Sequence, residues 1–424
     1  MKKTYIIAFI FLLFAGIPSL VPAKAEENNN TYKWVEKASL PEALFGTSTT
    51  VVDGKIYMIG GGKDDKVYNH TYVYDPKSDA WSQKSNMPTA RKGAASAVVD
   101  GKIYIIGGHG GKGVGPSNKV EVYNPKNDTW ETAPNLPQRQ YAASAAVVGN
   151  NIYVIGGHAF ETPSYLNNKN YCYDTNTKTW SEKKPAPINL EYLTTSVVDG
   201  KIYALGGFGS KTSVGNKTIY EYNPSSDTWD KKKDLLKSYM GSSSTTIDGK
   251  IFIIGGSYSS SNVYDTVQVY DPAKDTVEEF NKIQYARTFS AAVSIDKNIY
   301  VIGGTKVGGA WESNSGALNY VEMLSLESKT DTPPKSEKPT DQSQTDNKRA
   351  KLIVTMITGL EKEYDLPMKE VNEFINWYDQ KDTGSGSSKH AINIYDKKGP
   401  YTSRKDYVIF KNILMFQVNE YNAD

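Results

Sequence analysis

IYMIGG at residues 56–61 is an apolar run closed by two glycines. It returns as IYIIGG at 103–108, IYVIGG at 152–157, IYALGG at 202–207, IFIIGG at 251–256 and IYVIGG at 299–304. The first glycines, Gly60, Gly107, Gly156, Gly206, Gly255 and Gly303, are separated by 47, 49, 50, 49 and 48 residues, the period of a four-stranded blade. Ahead of four doublets stands an Asp-Gly turn, at Asp53, Asp100, Asp199 and Asp248, supplying the positive φ that a two-residue hairpin needs. The stretches before these turns, such as TSTTVV, AASAVV and SSSTTI, are small and β-branched, as an innermost strand near a crowded axis requires. Beyond each of the first five doublets a loop of variable length leads to a strand ending in Tyr74, Tyr123, Tyr173, Tyr222 or Tyr270. Seven residues later stands Trp81, Trp130, Trp180, Trp229 or Val277. That fixed spacing predicts a third and fourth strand joined as a hairpin. The glycines are expected to make room for a tyrosine or tryptophan ring, so that Gly, Tyr and Trp together form a packing set.

The sixth repeat ends with the strand NYVEMLSLE at 319–327 and supplies no fourth strand. The missing piece is predicted at the other end of the chain. Trp34 is followed seven residues later by Pro41, as Trp81 is by Pro88, Trp130 by Pro137 and Trp180 by Pro187. Residues 31–37 are therefore expected to lie beside the sixth repeat and close the circle, leaving no open sheet edge. The doublets with their downstream tyrosine and tryptophan resemble the kelch repeat family over about residues 31–327. Val277 departs from the pattern, and Leu324 takes a tyrosine position. The resemblance implies an all-β, six-bladed kelch-type β-propeller closed by its N-terminal strand.

The flanks read differently. Residues 1–25, with Lys2 and Lys3, an apolar run at 5–16 and Ala23-Lys24-Ala25, have the three parts of a cleaved export signal. The apolar run is shorter than the roughly 20 residues of a membrane span. The propeller is then assigned to 26–327. The stretch 328–348, SKTDTPPKSEKPTDQSQTDNK, has no aliphatic or aromatic residue to bury and is expected to be a disordered linker. A small α+β module is assigned to 349–424: a strand in KLIVTMIT, a helix capped by Asp365 with Val371, Phe374, Ile375 and Tyr378 on one face, and strands in AINIY and YVIFKNILMFQV. It is similar to a C-terminal module of secreted Gram-positive bacterial proteins, a likeness that brings no activity with it.

At 424 residues, with 30 tyrosines and 35 glycines, the chain suits many short strands and tight turns. Loss of Lys2, Lys3 and Lys24 takes the formal charge from +2 to about −1, with no basic stripe to hold nucleic acid or an anionic membrane. Cys172 is the only cysteine, so no intramolecular disulfide can form.

The Gly-, Ser- and Asn-rich loops after the doublets and the connections leading into first strands are expected to share one face, which in kelch propellers usually carries the ligand. Candidate binding residues there are Arg91, His109, Arg139, His158, Glu191, Tyr239 and Arg287, with Tyr192 at a comparable place. The expected partner is an extracellular glycan or protein, bound by a monomer secreted from the cell or held at its surface, with no cofactor or metal. Copper radical oxidases use kelch-like propellers, but Cys172 in YCYD is placed away from the axis and does not supply their crosslinked cysteine. The enzyme alternative is a sugar mutarotase or epimerase like the exported kelch-type ones that act on sialic acid. Glu191 would move the proton and one of the arginines would hold a carboxylate. Asn69, Asn127 and Asn216, within Asn-X-Thr triplets, read as turn residues.

Overall fold

Each Asp-Gly turn opens as read: Asp53 and Gly54, for example, have φ of 51° and 69°. The strands on either side pair antiparallel, Ser48–Val52 with Lys55–Ile59 in the first repeat. The computed structural model describes residues 32–159, 167–209, 215–259, 262–308, 316–327, 348–356, 360–382, 389–394, 404–409 and 413–422. The export signal expected at 1–25 and nearly all of the linker expected at 328–348 lie outside them. The chain separates into two compact units, Met1–Thr332 and Pro333–Asp424.

The first unit is a six-bladed propeller of four-stranded antiparallel sheets. Five blades draw their four strands from one stretch of chain, as in Ala95–Val99, Lys102–Ile106, Val120–Asn124 and Thr129–Ala133. The sixth is Ala291–Ile295, Asn298–Ile302 and Val321–Ser325, completed by the N-terminal strand Trp34–Lys37. Trp34 pairs with Leu324 just as Trp81 pairs with Tyr74, so Leu324 holds the tyrosine position and the closure read from Trp34 stands. The core lies between blades, where Ile56, Ile103, Ile152, Ile202, Ile251 and Ile299 are fully buried. Each stabilises the fold by roughly 1.5–3 kcal/mol.

Neighbouring blades are clasped at their outer edges. Tyr74, Tyr123, Tyr222 and Tyr270 donate their hydroxyls at 2.6–2.9 Å to the aspartates five residues on, Asp79, Asp128, Asp227 and Asp275. The same carboxylate oxygen accepts a backbone N–H from the preceding blade, from Ala38, Ser85, Lys184 and Lys233 respectively, at 2.8–3.0 Å. The tryptophan then donates its indole N–H to the carbonyl of that same residue: Trp81 to Ala38, Trp130 to Ser85 and Trp229 to Lys184, at 2.8–2.9 Å. Ala38, Ser85 and Lys184, each just after an outer strand, are thus held by both N–H and C=O. The indoles are half-buried and tilted against the tyrosines at 4.9–5.1 Å, at the rim of the core rather than inside it. Blade five keeps the Asp275 half of the clasp and loses the indole half, because Val277 has no donor. Since Ala38 follows Trp34–Lys37, blade one also holds the strand that closes blade six.

The doublet glycines have another cause than the one expected. A Cβ on Gly60 would lie 2.5 Å from the Arg91 carbonyl oxygen, on Gly156 2.1 Å from that of Leu190, and on Gly255 2.4 Å from that of Arg287. The obstacle is the backbone of the next connection, not an aromatic ring. The second glycine donates its N–H to that same carbonyl, at 2.7–3.0 Å in all six repeats.

The second unit has a three-stranded antiparallel sheet in which Lys348–Met356 lies between Glu361–Pro367 and Ile413–Asn422. A hairpin of Lys389–Ile394 with Arg404–Ile409 accompanies it. The helix Met368–Asp382 buries Val371, Phe374 and Trp377 in a core with Leu352, Val354 and Leu366. Asp365 does not cap this helix: it lies in the preceding strand and accepts from Arg349 at 2.9 Å. The run YVIFKNILMFQV, read as one strand, contributes to two. Among the described residues no helix is long and apolar enough to cross a membrane.

Candidate functional site

The connections into the six inner strands are superimposable when counted back from each strand, and adjacent positions face opposite ways because extended backbone alternates its side chains. Four residues before the strand stand Leu44, Arg91, Gln140, Leu190, Tyr239 and Arg287, all buried to 1% exposure or less. Three before stand Phe45, Lys92, Tyr141, Glu191, Met240 and Thr288. Each pairs through its backbone with the residue after a doublet: Gly62, His109, His158, Phe208, Ser257 and Thr305 respectively.

Two residues before the strand, the chain turns through positive φ at Gly46, Gly93, Ala142, Tyr192, Gly241 and Phe289, with values of 52–63°. Each of these six donates its N–H to the carbonyl of its counterpart in the preceding blade, and Gly46 donates to Phe289, at 2.7–3.0 Å. A closed ring of six backbone hydrogen bonds therefore rims the axis. Below it the inner strands carry hydroxyls that bond across blades, Ser144 with Thr195 at 2.8 Å, Thr194 with Ser244 at 2.7 Å and Thr245 to Ser294 at 2.9 Å.

Side chains gather over the ring on the blade two to four side. His158 Nδ1 meets Glu191 Oε2 at 2.7 Å. Tyr141 lies between the two imidazoles, 5.0 Å from His109 and 4.9 Å from His158. Tyr192 contacts Tyr141 edge-on at 6.3 Å and Phe289 at 5.2 Å. The Gly111 N–H donates to His109 Nδ1 at 3.0 Å, which leaves the neutral ring its proton on Nε2. Lys92 lies 4.7 Å from the Phe45 ring centre. Lys92, Glu191, Tyr141 and Phe289 are buried at 4–8% exposure, so the groups that reach the surface over the ring are the partly buried Tyr192, His109 and His158, a phenol and two imidazoles suited to a ligand that combines hydroxyls with an apolar face.

Of the residues singled out in the sequence, His109, His158 and Glu191 meet here, joined by Tyr192, while Arg139 is exposed beside the buried Gln140. Three are corrected. Arg91 pairs with Glu121 at 2.9 Å and Arg287 with Glu322, both guanidiniums fully buried. Burial lowers both arginine pKa values, opposed by those carboxylates, and raises that of Glu322 against the pull of Arg287. Tyr239 is fully buried with Thr266 and Gln268. These three hold the connection to the third strand of its own blade and present nothing to a ligand. The arginine expected to hold a substrate carboxylate at the mouth is therefore not Arg91 or Arg287. Lys92, Tyr141 and Phe289 were not singled out; counting every connection back from its inner strand would have aligned them.

Cys172, buried at 4% exposure, lies in the third strand of blade three beside Tyr153 in an apolar cluster, and burial raises its thiol pKa. Asn69 and Asn216 serve local structure, bonding the Met87 carbonyl and the Thr218 N–H. Among the described residues no three His, Cys, Asp or Glu side chains converge to hold a metal ion.

A family model described as the KLHDC2/KLHL20/DRC7 Kelch-repeats domain matches residues 102–304, and one described as FKB95, Kelch-repeats domain matches 20–140. An uncharacterized protein of Clostridium acetobutylicum is 36% identical over 73 residues, 17% of this chain and 18% of that one. The chain thus spans less than a fifth of that relative's length. A solved structure described as "Structure of YjhT" superimposes with a TM-score of 0.58 at 16% identity, over 69% of this chain and 97% of that one, a likeness of fold.

Proposed function

The chain is a kelch-repeat β-propeller, and on that premise we propose that it is an extracellular interaction module whose mouth binds a glycan. The observation that carries this reading is the backbone conformation of Tyr192 and Phe289. Gly46, Gly93 and Gly241 make the same turn without strain, whereas Tyr192 and Phe289 hold φ of 53° and 52°. That conformation costs a non-glycine residue about 1–2 kcal/mol. Phe289 is buried against Tyr192, and the partly exposed Tyr192 ring, kept at this cost beside the axis, supplies what glycine lacks, a stacking surface for a sugar face, with His158, backed by the buried Glu191, in reach of its hydroxyls. The extracellular location rests on the export signal read at 1–25.

The second reading, a sugar mutarotase, draws on the His158–Glu191 contact, which could pass a proton to and from a ring oxygen. Glycan-array screening of the mature protein, followed by anomer exchange measured by NMR on any sugar retained, separates the two. Retention without exchange identifies a binding module, and catalysed exchange identifies the enzyme. Tyr192→Gly and Glu191→Gln are expected to weaken retention at least about tenfold while the melting curve moves little, because Gly accepts the positive φ. Lys55→Ala, at a turn on the opposite face, should bind as the wild type does. Undiminished retention by both mouth variants would move the site elsewhere.

A further inference from the structure

At the junction of blades two and three the carboxylate half of the clasp has lost both its acceptor and its backbone donor. Where Asp79, Asp128, Asp227 and Asp275 stand in other blades, blade three has Lys178, in the same positive-φ conformation at 57°. Where Ala38, Ser85, Lys184 and Lys233 offer an N–H, the preceding strand is followed by Pro134, which has none to offer. The indole half survives, Trp180 donating to the Pro134 carbonyl at 2.9 Å. The tyrosine half is left open: Tyr173 is 2% exposed, and its hydroxyl has no hydrogen-bond partner among the described residues. It faces a cavity of about 250 Å³ whose wall also includes Tyr104, Thr175, Lys102, Glu131 and Lys178.

The junction of blades five and six also lacks the aspartate, with Tyr32 at its place, and a cavity of about 280 Å³ lies there too. In that blade the donor is gone as well, because Leu324 replaces the tyrosine, and Tyr32 and Phe280 pack against each other at 5.4 Å. Removing donor and acceptor together leaves an apolar surface at no polar cost. Blade three has kept the donor and exchanged the anionic acceptor for a cation.

We propose that the cavity between blades two and three binds a carboxylate supplied from outside the chain, which takes the place of the missing aspartate. One carboxylate oxygen accepts from the Tyr173 hydroxyl, as Asp128 accepts from Tyr123, and the Lys178 ammonium neutralises the charge. Lys102 is held by Glu131 at 2.7 Å, so Lys178 is the cation left to an incoming anion. Asp100 also lines the cavity and disfavours a second negative charge on the ligand. Burial raises the Tyr173 pKa, so the phenol stays a donor across the physiological range. The space is smaller than the roughly 300–1,000 Å³ of sites for drug-sized ligands, and fits one acidic side chain or an acid of a few carbons.

Acetate, succinate and a blocked Gly-Asp-Gly peptide, titrated into the full chain at constant ionic strength and followed by NMR of ring-labelled tyrosine, test this. Saturable binding by acetate or by the peptide is expected, with succinate weaker than acetate. Comparable binding of both would assign a free acid as the ligand, whereas binding of the peptide alone would assign a protein side chain. Tyr173→Phe and Lys178→Met should each weaken binding about tenfold or more. Lys178→Asp should abolish it and raise the melting temperature, because the chain then supplies its own carboxylate to Tyr173. Absence of saturation by any of the three probes, or unchanged binding by the Tyr173→Phe and Lys178→Asp variants, overturns the proposal.

Discussion

At its outer edge a blade is tied to its neighbour through side chains, and at the mouth through backbone. The outer clasp needs a phenol, a carboxylate and an indole, so Tyr, Asp and Trp recur there, and a departure such as Lys178 or Val277 alters a bond. The six mouth residues share φ and hydrogen bonds without sharing a residue type, since three are glycine and the others are Ala142, Tyr192 and Phe289. Where backbone does the holding, side chains are released to differ, and the variety at the mouth is recognition laid over a uniform frame.

The strongest way to break this comparison is to remove the one outer strand that comes from the far end of the chain. A protein starting at Ala43 loses the pairing of Trp34–Lys37 with the sixth blade and the Ala38 clasp to blade one. It is expected to melt about 10 °C or more lower, or to aggregate through the exposed edge in size-exclusion chromatography. An unchanged melting curve would mean that the mouth ring closes the propeller by itself.

A pair of glycine–alanine exchanges sharpens the contrast. Gly156→Ala drives a Cβ into the Leu190 carbonyl at a positive φ and should cost about 3 kcal/mol in urea denaturation. Ala142→Gly makes the ring residue match Gly46, Gly93 and Gly241, and should be neutral or stabilising by about 1 kcal/mol or less. Equal losses from both would show that the mouth depends on its side chains as the edge does.

The smallest effect is expected from the clasp carboxylate. The Tyr222 hydroxyl lowers the Asp227 pKa from its ordinary 3.8, partial burial opposes it and the Lys184 N–H adds to the lowering. With a folded value below the unfolded one, the contribution is complete above pH 3.8 and disappears as pH falls through the folded value. Asp227→Asn should therefore be about 1 kcal/mol less stable than wild type at pH 7, the gap narrowing below pH 4. A gap independent of pH would assign the effect to geometry rather than charge.

The frame was legible in the sequence because each doublet answers to a backbone requirement repeated in every blade, and the Tyr–Trp spacing to a side-chain clasp repeated in four of them. Trp34 revealed the closure for the same reason. The mouth was legible only in part. His109 and His158 follow doublets and inherit their register, but the connections carry no shared residue, and on extended chain one residue separates the axis from the core. Arg91, Tyr239 and Arg287 were chosen at the position buried against the third strand, and the next residues, Lys92, Met240 and Thr288, pair with the residues after the doublets and are buried too. The aspartates five residues after Tyr74, Tyr123, Tyr222 and Tyr270 were visible but unread, because a turn aspartate ordinarily bonds its own loop.

The ring at the mouth has a further electrical consequence. All six N–H groups point the same way around the axis, each residue donating its N–H to one neighbour and accepting at its C=O from the other, until the sixth returns to the first. A circulation of dipoles has no beginning and no end, so no fractional charge collects at either, in contrast to the terminus of a helix. The opening carries no built-in preference for anion or cation, and the sign of what it admits is left to the few side chains that stand over it.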